Sequence, residues 1–278
     1  MVQQHRIVNL DKKQVLDPKL VGSSRRWAYF AFTESPVMGG LLWLLNGSWS
    51  GDRVAIVSNR AEDSDLPIAE EVCGIPASQL CFPTVHGHER FKNVSRKVRD
   101  ALVEDYGYQF QVNNTITTTV TENGPENHTS SSVRALAHSD YDRDPVALAD
   151  EDRTTGFVVI NRDRGQFLTS WTFSHDTTLR QSIVNLWDDE EGKHSWLPTA
   201  LAVLLTTSME GTNYAVPGFS GAWAGDHISV EDYDTADKNG LENISGDLRA
   251  NMSDVEPIDL SLALDHTEGE EDYVIGSI

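Results

Sequence analysis

Four side chains that zinc accepts as ligands fall within 16 residues: Cys73, Cys81, His86 and His88 read C-x7-C-x4-H-x-H. Such a set would hold a loop in shape, because four protein ligands close the coordination sphere of zinc and leave no position for a substrate. The spacing departs from fingers and ribbons, where paired cysteines stand about two to four residues apart. Each residue also has an ordinary reading, cysteine as a small buried hydrophobe and histidine as a solvated side chain in a Pro- and Gly-rich loop. That ordinary reading is preferred; zinc is the one cofactor worth testing, and none is otherwise expected.

A second set of polar residues occurs twice. GSWSGDRVAIV at 47–57 and GAWAGDHISV at 221–230 share a frame of Gly, small, Trp, small, Gly, Asp running into a β-branched stretch. Upstream, VNLDKKQVL at 8–16 pairs with INRDRGQFL at 160–168. The shared residues are Asn9 and Asn161, Asp11 and Asp163, Trp49 and Trp223, Asp52 and Asp226. Carboxylates at strand ends can converge on one cleft, where they would act as acid and base or as ligands of a hard metal, the equipment of a metal-dependent hydrolase or transferase. Turn chemistry explains the same eight residues without a ligand: Asp at a turn bonds backbone donors, and Trp plugs a helix-to-strand corner. The turn account is preferred, and the eight stand as candidate binding residues on the other.

Other catalytic motifs are absent from the sequence. There is no nucleophile elbow, no metalloprotease H-E-x-x-H and no phosphate-binding glycine loop. His175-Asp176 and Asp226-His227 put imidazole beside carboxylate, but neighbours on a strand face opposite ways. The balance leans away from an enzyme.

The elements that position these residues recur in the same order. Each hairpin has a polar turn, DKK in the first and RDRG in the second, the latter with the permissive Gly165. Pro36 and Pro198 open apolar runs, PVMGGLLWLL and PTALAVLLTT, and proline suits the first turn of a helix. Asn46-Gly47 ends the first run. DRVAIV and DHISV then read as strands. In a third paired block, KNVSRKVRDALVED at 92–105 and ENISGDLRANMSD at 242–254, Ser95 and Ser245 sit where a helix N-cap belongs. Collinear recurrence of three blocks argues for an α+β fold built by tandem duplication of a hairpin-helix-strand-helix module. The expected division is a first module at 1–110 carrying the Cys/His insertion, a polar linker at 111–153, a second module at 154–256 and an acidic tail at 257–278.

Charge separates the copies. The chain carries -21, yet residues 1–105 hold 13 basic and 13 acidic residues while 154–278 hold 6 and 22. A surface so acidic disfavours direct nucleic-acid contact, which needs Lys and Arg. It fits solvation in a salt-rich cytosol, with 7 Lys against 15 Arg, or recognition of a basic partner. No basic-then-apolar leader opens the sequence, and the longest apolar run is about half a membrane span, so a cytoplasmic protein off the membrane is expected. Sequons at Asn46, Asn93 and Asn243 carry no glycan implication in that setting.

INRDRGQFL, TALAVLL, GAWAGDHISVEDYD and ENISGDLRANMSD resemble an uncharacterised family of small proteins from actinobacteria, haloarchaea and their viruses. Asp232, Tyr233 and Asp234 follow the strand as that pattern implies, whereas the first copy has Ser58, Asn59 and Arg60 there. The resemblance implies the domain and no activity. The expected role is a non-enzymatic module that binds another macromolecule, a protein or a second copy, through its acidic second half. The alternatives are the metal-dependent enzyme above and a virus-encoded acidic DNA mimic or regulator.

Overall fold

The computed structural model describes residues 3–31, 35–81, 91–121, 124–135, 157–169, 197–207 and 215–252, with backbone alone for 112–135 and 237–238. His86, His88, His175, Asp176, the acidic loop at 187–196 and the tail at 257–278 lie outside them.

Both expected hairpins form. β1 (His5–Asn9) pairs antiparallel with β2 (Gln14–Leu16), and β7 (Phe157–Asn161) with β8 (Gln166–Thr169). Their registers correspond: Asn9 lies opposite Gln14, and Asn161 opposite Gln166. The turns require one left-handed residue each, Gly165 (φ 63°) in the second hairpin and Lys13 (φ 51°) in the first.

Two helices begin this chain's first layer, α1 (Trp27–Phe30) and α2 (Pro36–Asn46). Pro36 occupies the first turn of α2, Ser35 caps it by accepting the Val37 N–H at 3.3 Å, and Gly47 ends it. Then come β3 (Asp52–Ser58), α3 (Ile68–Cys73), α4 (Ala77–Leu80), β4 (Lys92–Asn93) and α5 (Ser95–Tyr106). After β7 and β8 the described elements are α6 (Leu197–Leu205), β9 (Asp226–Asp232), α7 (Tyr233–Lys238), β10 (Glu242–Asn243) and α8 (Ser245–Met252).

Ser95 and Ser245 are not N-caps. Each is the first helical residue, and its N–H donates to Asn93 Oδ1 (2.9 Å) or Asn243 Oδ1 (3.0 Å). The serine hydroxyls are thereby available to accept from strand backbone, Asp17 N–H at 2.7 Å and Thr169 N–H at 2.9 Å. The Asn-x-Ser spelling at both places is thus a helix-start device.

Eight strands make one mixed sheet in the order β10-β8-β7-β9-β3-β1-β2-β4. The order reads the same from either edge in terms of each half's own strands. β10 with β8 and β2 with β4 are parallel, and the other pairs are antiparallel. The two expected modules therefore share a sheet, joined where β3 and β9 pair through Asp52↔Ile228, Arg53↔His227 and Val54↔Asp226. They share a core as well. One cluster on one face of the sheet contains Ile7, Trp49 and Ile56 together with Val159, Trp223 and Ile228, covered by residues of α1, α2, α5, α6 and α8. Alternation along the strands sends the next residues to the other face. There Val8, Leu10, Ala55 and Val57 pack under the insertion carrying α3 and α4, and Val158, Ile160 and Phe167 pack with Ala236 of α7. Thr207 N–H donates to Ile56 O at 2.9 Å, and the Trp27 indole to Thr206 Oγ1 at 2.8 Å, so bonds also cross the halves outside the sheet.

Within the stretch 111–153, expected as linker, residues 111–121 and 124–135 are strand. β5 (Phe110–Thr121) and β6 (Gly124–Ala135) form a separate antiparallel pair in continuous register. Low apolar content misled the expectation, since threonine-rich sequence favours extended backbone, and Asn-Gly at 123–124 is a hairpin signal.

Candidate functional site

The repeated residues gather at the centre of the sheet, where β3 and β9 begin, and each half uses them in the same way. Asn9 Nδ2 donates to Asp52 Oδ2 at 2.8 Å, and Asn161 Nδ2 to Asp226 Oδ2 at 2.8 Å. The amide oxygens accept turn backbone: Lys12 N–H at 2.8 Å on Asn9, and Asp163 and Arg164 N–H at 3.0 Å on Asn161. A cation closes each group, Lys12 Nζ on Asp52 at 2.5 Å and Arg164 Nε on Asp226 at 2.7 Å. Lys12 Nζ also donates to Ser48 O.

The tryptophans are fully buried, and the indole N–H of Trp49 reaches Gln14 Oε1 at 2.6 Å while that of Trp223 reaches Gln166 Oε1 at 3.1 Å. Their own backbone N–H groups turn back to Leu44 O (2.7 Å) and Leu204 O (2.8 Å), which fixes the corner from helix to strand. The glycines after them have left-handed φ, 75° at Gly51 and 82° at Gly225, and donate across the junction to Ile228 O (2.8 Å) and Val54 O (2.9 Å). At Gly225 a Cβ would also stand 2.8 Å from side-chain atoms of Leu66 and Ile68, so only glycine fits.

Asp11 and Asp163 bind the strand residue after each repeated Asp. Asp11 accepts Arg53 N–H at 2.6 Å and pairs with its guanidinium at 2.7 Å. Asp163 accepts His227 N–H at 2.8 Å and lies 2.9 Å from the ring Nδ1. Arg53 and His227 are cross-strand partners, so Asp11, Arg53, His227 and Asp163 form a row across β3 and β9. Burial pushes the Asp163 carboxyl upward, but the His227 backbone and ring bonds, with help from the Arg53 charge, leave it below its ordinary range. The imidazole's partner is thus a residue 64 positions away, while Asp226 next to it serves Asn161 and Arg164. Held through Nδ1, the ring has Nε2 as its other nitrogen. Sequence reading passed over Arg53, the two glutamines and the Asp163–His227 pairing; the residue after each repeated Asp, and the Gln opening QVL and QFL, were the available signals.

The two described zinc candidates lie in different surroundings. Cys73 is in the core under the sheet, its thiol 2.9 Å from Ala69 O, and burial raises its pKa. Cys81 lies 3.6 Å from Gln4 O beside Arg6, Asp17 and Arg25. Burial pushes its thiol up to about 12, against the pull of the two arginines. Both cysteines are free, and among the described residues no group of three His, Cys, Asp or Glu side chains is placed to hold a metal.

Among the described residues, the first half alone contains a buried ionic cluster. Asp17 accepts Arg25 Nε at 2.8 Å, Arg25 Nη2 at 2.7 Å and Lys19 N–H at 3.1 Å, and lies 2.9 Å from Arg6 Nη2. Burial opposes its ionisation, but these bonds and charges outweigh it and hold the carboxyl below its ordinary range. Burial lowers the Arg6 guanidinium, against the attraction of Asp17.

These features define an α+β chain with one mixed eight-stranded sheet and the same hydrogen-bonded corner on each side of its centre. Among known proteins, no family model, no curated protein and no solved structure matches this chain. No helix among the described residues is long and apolar enough to cross a membrane.

Proposed function

We propose that the chain is a tandem duplication folded as a dimer within one polypeptide, and that it works as a binding module whose acidic second half recognises a basic macromolecule. The observation that carries this reading is the pairing of the eight repeated residues with the frame itself: Asn with Asp, Trp with Gln, Asp with the strand backbone, the same in both halves. Residues tied to the frame in both copies are folding devices, so recognition falls to positions where the copies differ. After β3 the first half turns inward, with Ser58 Oγ accepting from Gln3 and Arg60 N–H, and Asn59 Oδ1 from Gln4 N–H. At the end of β9 and in α7 the second half presents Asp232 and Asp234 as exposed residues, and Asp247 of α8 is exposed as well.

The test uses an immobilised Lys- and Arg-rich peptide and the full chain. Binding should weaken with salt, and neutralising Asp232, Asp234 and Asp247 to Asn should reduce it about tenfold. Neutralising Glu70, Glu71 and Asp100 in the first half should leave it within about twofold, because exposed charges far from the contact are screened. Equal losses from both sets, or no salt-dependent binding, would reject the reading. A duplex DNA arm should show no retention.

A second reading, an enzyme, has the Asp163–His227 pair beside Arg53 in its favour, since a carboxylate-held imidazole next to a cation is general-base equipment. Turnover of p-nitrophenyl acetate or phosphate that disappears in His227→Asn would support it; unchanged background rates would remove it.

A further inference from the structure

β5 and β6 stand apart from the eight-stranded sheet as a sheet of two strands, each of 12 residues, in register from Phe110↔Ala135 to Thr121↔Gly124. At about 3.4 Å per residue this arm reaches ~40 Å. Its root is anchored: Phe110 packs on the main core and stacks on Tyr108 at 5.9 Å between ring centres, and β6 passes the helical turn Pro18–Val21. Two strands alone are marginal in water and gain independent stability from a third. Among the described residues neither strand has one.

The register says which edge is open. Pro125, opposite Val120, has no N–H to offer an outside strand, so the outer edge of β6 is interrupted near the tip. β5 contains no proline, and along it Val112, Asn114, Ile116, Thr118 and Val120 alternate with polar residues. The spacing of the three apolar residues is the same from either end. Laid antiparallel about Ile116, two β5 strands set Val112 opposite Val120, Asn114 opposite Thr118, and Ile116 opposite its own copy. Cross-strand pairs of β-branched residues stabilise sheets, and a self-complementary edge closes as a twofold dimer. Charge selects the same occupant. Two chains of -21 repel each other, but the arm carries only Glu122, Glu126 and Arg134, so it is where two copies can approach.

We infer that β5 is a dimerisation edge: it pairs antiparallel with β5 of a second copy, making a four-stranded sheet that runs β6, β5, β5, β6 and binds main chain to main chain. This self-association is independent of the acidic-surface reading above.

The full chain tests it by light scattering at high salt, where body repulsion is screened. The wild type should give twice 30.8 kDa, and Thr118→Pro should give 30.8 kDa. Thr118 shares the parity of Val120, whose partner is Pro125, so its N–H points away from β6 and a proline there leaves the hairpin's own ladder whole. Independently of that variant's folding, Ile116→Cys should crosslink to a dimer under mild oxidation. Thr119→Cys, set opposite Asn113, should not. A wild type that is monomeric at every concentration, a dimer that survives Thr118→Pro, or equal crosslinking at positions 116 and 119 would each overturn the inference.

Discussion

His5, Arg6 and Asp17 in the first half stand at the hairpin positions that Phe157, Val158 and Thr169 occupy in the second. Both sets are buried. In the first, a carboxylate is held by two guanidinium groups; in the second, apolar side chains fill the space and Thr169 Oγ1 bonds Ser245 Oγ at 3.2 Å. What does not change is the backbone bond from that residue to the helix-starting serine, 2.7 Å to Ser95 and 2.9 Å to Ser245. The frame is thus set by main chain, Ser, Asn, Asp and Trp, and its interior accepts either an ionic or an apolar filling. The ionic filling should make the first half the more sensitive to single substitutions and to acid.

The largest expected effects test whether the halves are one unit. Trp49→Ala and Trp223→Ala each remove a fully buried side chain and should cost about 3–5 kcal/mol. Because both lie in one cluster, each should shift a single urea transition seen by far-UV dichroism and by fluorescence. Two separable transitions, one per tryptophan, would show that the halves fold independently despite the shared sheet.

Asp17→Ala should cost about 3–5 kcal/mol, since it strands buried Arg6 beside Arg25, whereas Thr169→Ala should cost only about 1 kcal/mol. Adding Arg6→Val, the residue type of Val158, should recover part of the loss. If Asp17→Ala and Thr169→Ala cost the same, the contrast between the fillings has no energetic content.

Acid probes the same contrast through His5. Burial lowers its imidazole from 6.5 to about 4, against a weaker hydrogen bond to the Arg25 carbonyl. The unfolded chain takes up this proton near pH 6.5 and the folded chain only near 4, so the stability from a neutral His5 is complete above 6.5 and is lost as pH falls through that window. A gap of that size corresponds to about 3 kcal/mol. Asp17 contributes lower: its depressed carboxyl stabilises the fold above about pH 4, and that share is lost only as pH falls further. Denaturant midpoints should therefore drop between neutral pH and about 4.5 in the wild type and drop much less in His5→Phe, which borrows the residue type of Phe157.

Lys13 and Gly165 make a smaller comparison at matching turns. A side chain with left-handed backbone costs about 1 kcal/mol relative to glycine, so Lys13→Gly should raise the unfolding free energy by that amount, seen as a higher denaturant midpoint, and Gly165→Lys should lower it.

Much of this architecture could be read from local pattern. The Asn amide oxygens that accept turn backbone in each hairpin, and Pro36 ahead of an apolar run, act within a few residues of their partners. What escaped depends on distant neighbours. Nothing local ties Asp163 to His227, Gln166 to Trp223, or Arg6 to Asp17, since sheet register alone brings them together. The joining of the halves through β3 and β9 was hidden for the same reason. The β5–β6 hairpin was hidden by composition, as its threonines and serines are polar yet extended.

The smallest expected effect lies on the junction itself, where the cross-strand partners Arg53 and His227 stand at equivalent positions of the two halves and carry different residues. Each holds its aspartate twice, once by backbone and once by side chain. His227→Arg would make both sides Asp–Arg while keeping the N–H bond at 2.8 Å, and the side-chain pairs are partly exposed, so stability should change by no more than about 0.5 kcal/mol. Asp163→Ala removes the backbone acceptor too and should cost about 1 kcal/mol. The carboxyl of Asp163, followed by NMR, should stay below its ordinary range in His227→Arg, because the backbone bond and a permanent cation replace the ring. A cost well above that of Asp163→Ala would mean that the ring itself joins the sheet, whereas turnover of p-nitrophenyl acetate lost in His227→Arg with stability unchanged would move the weight of argument from the binding module to the enzyme.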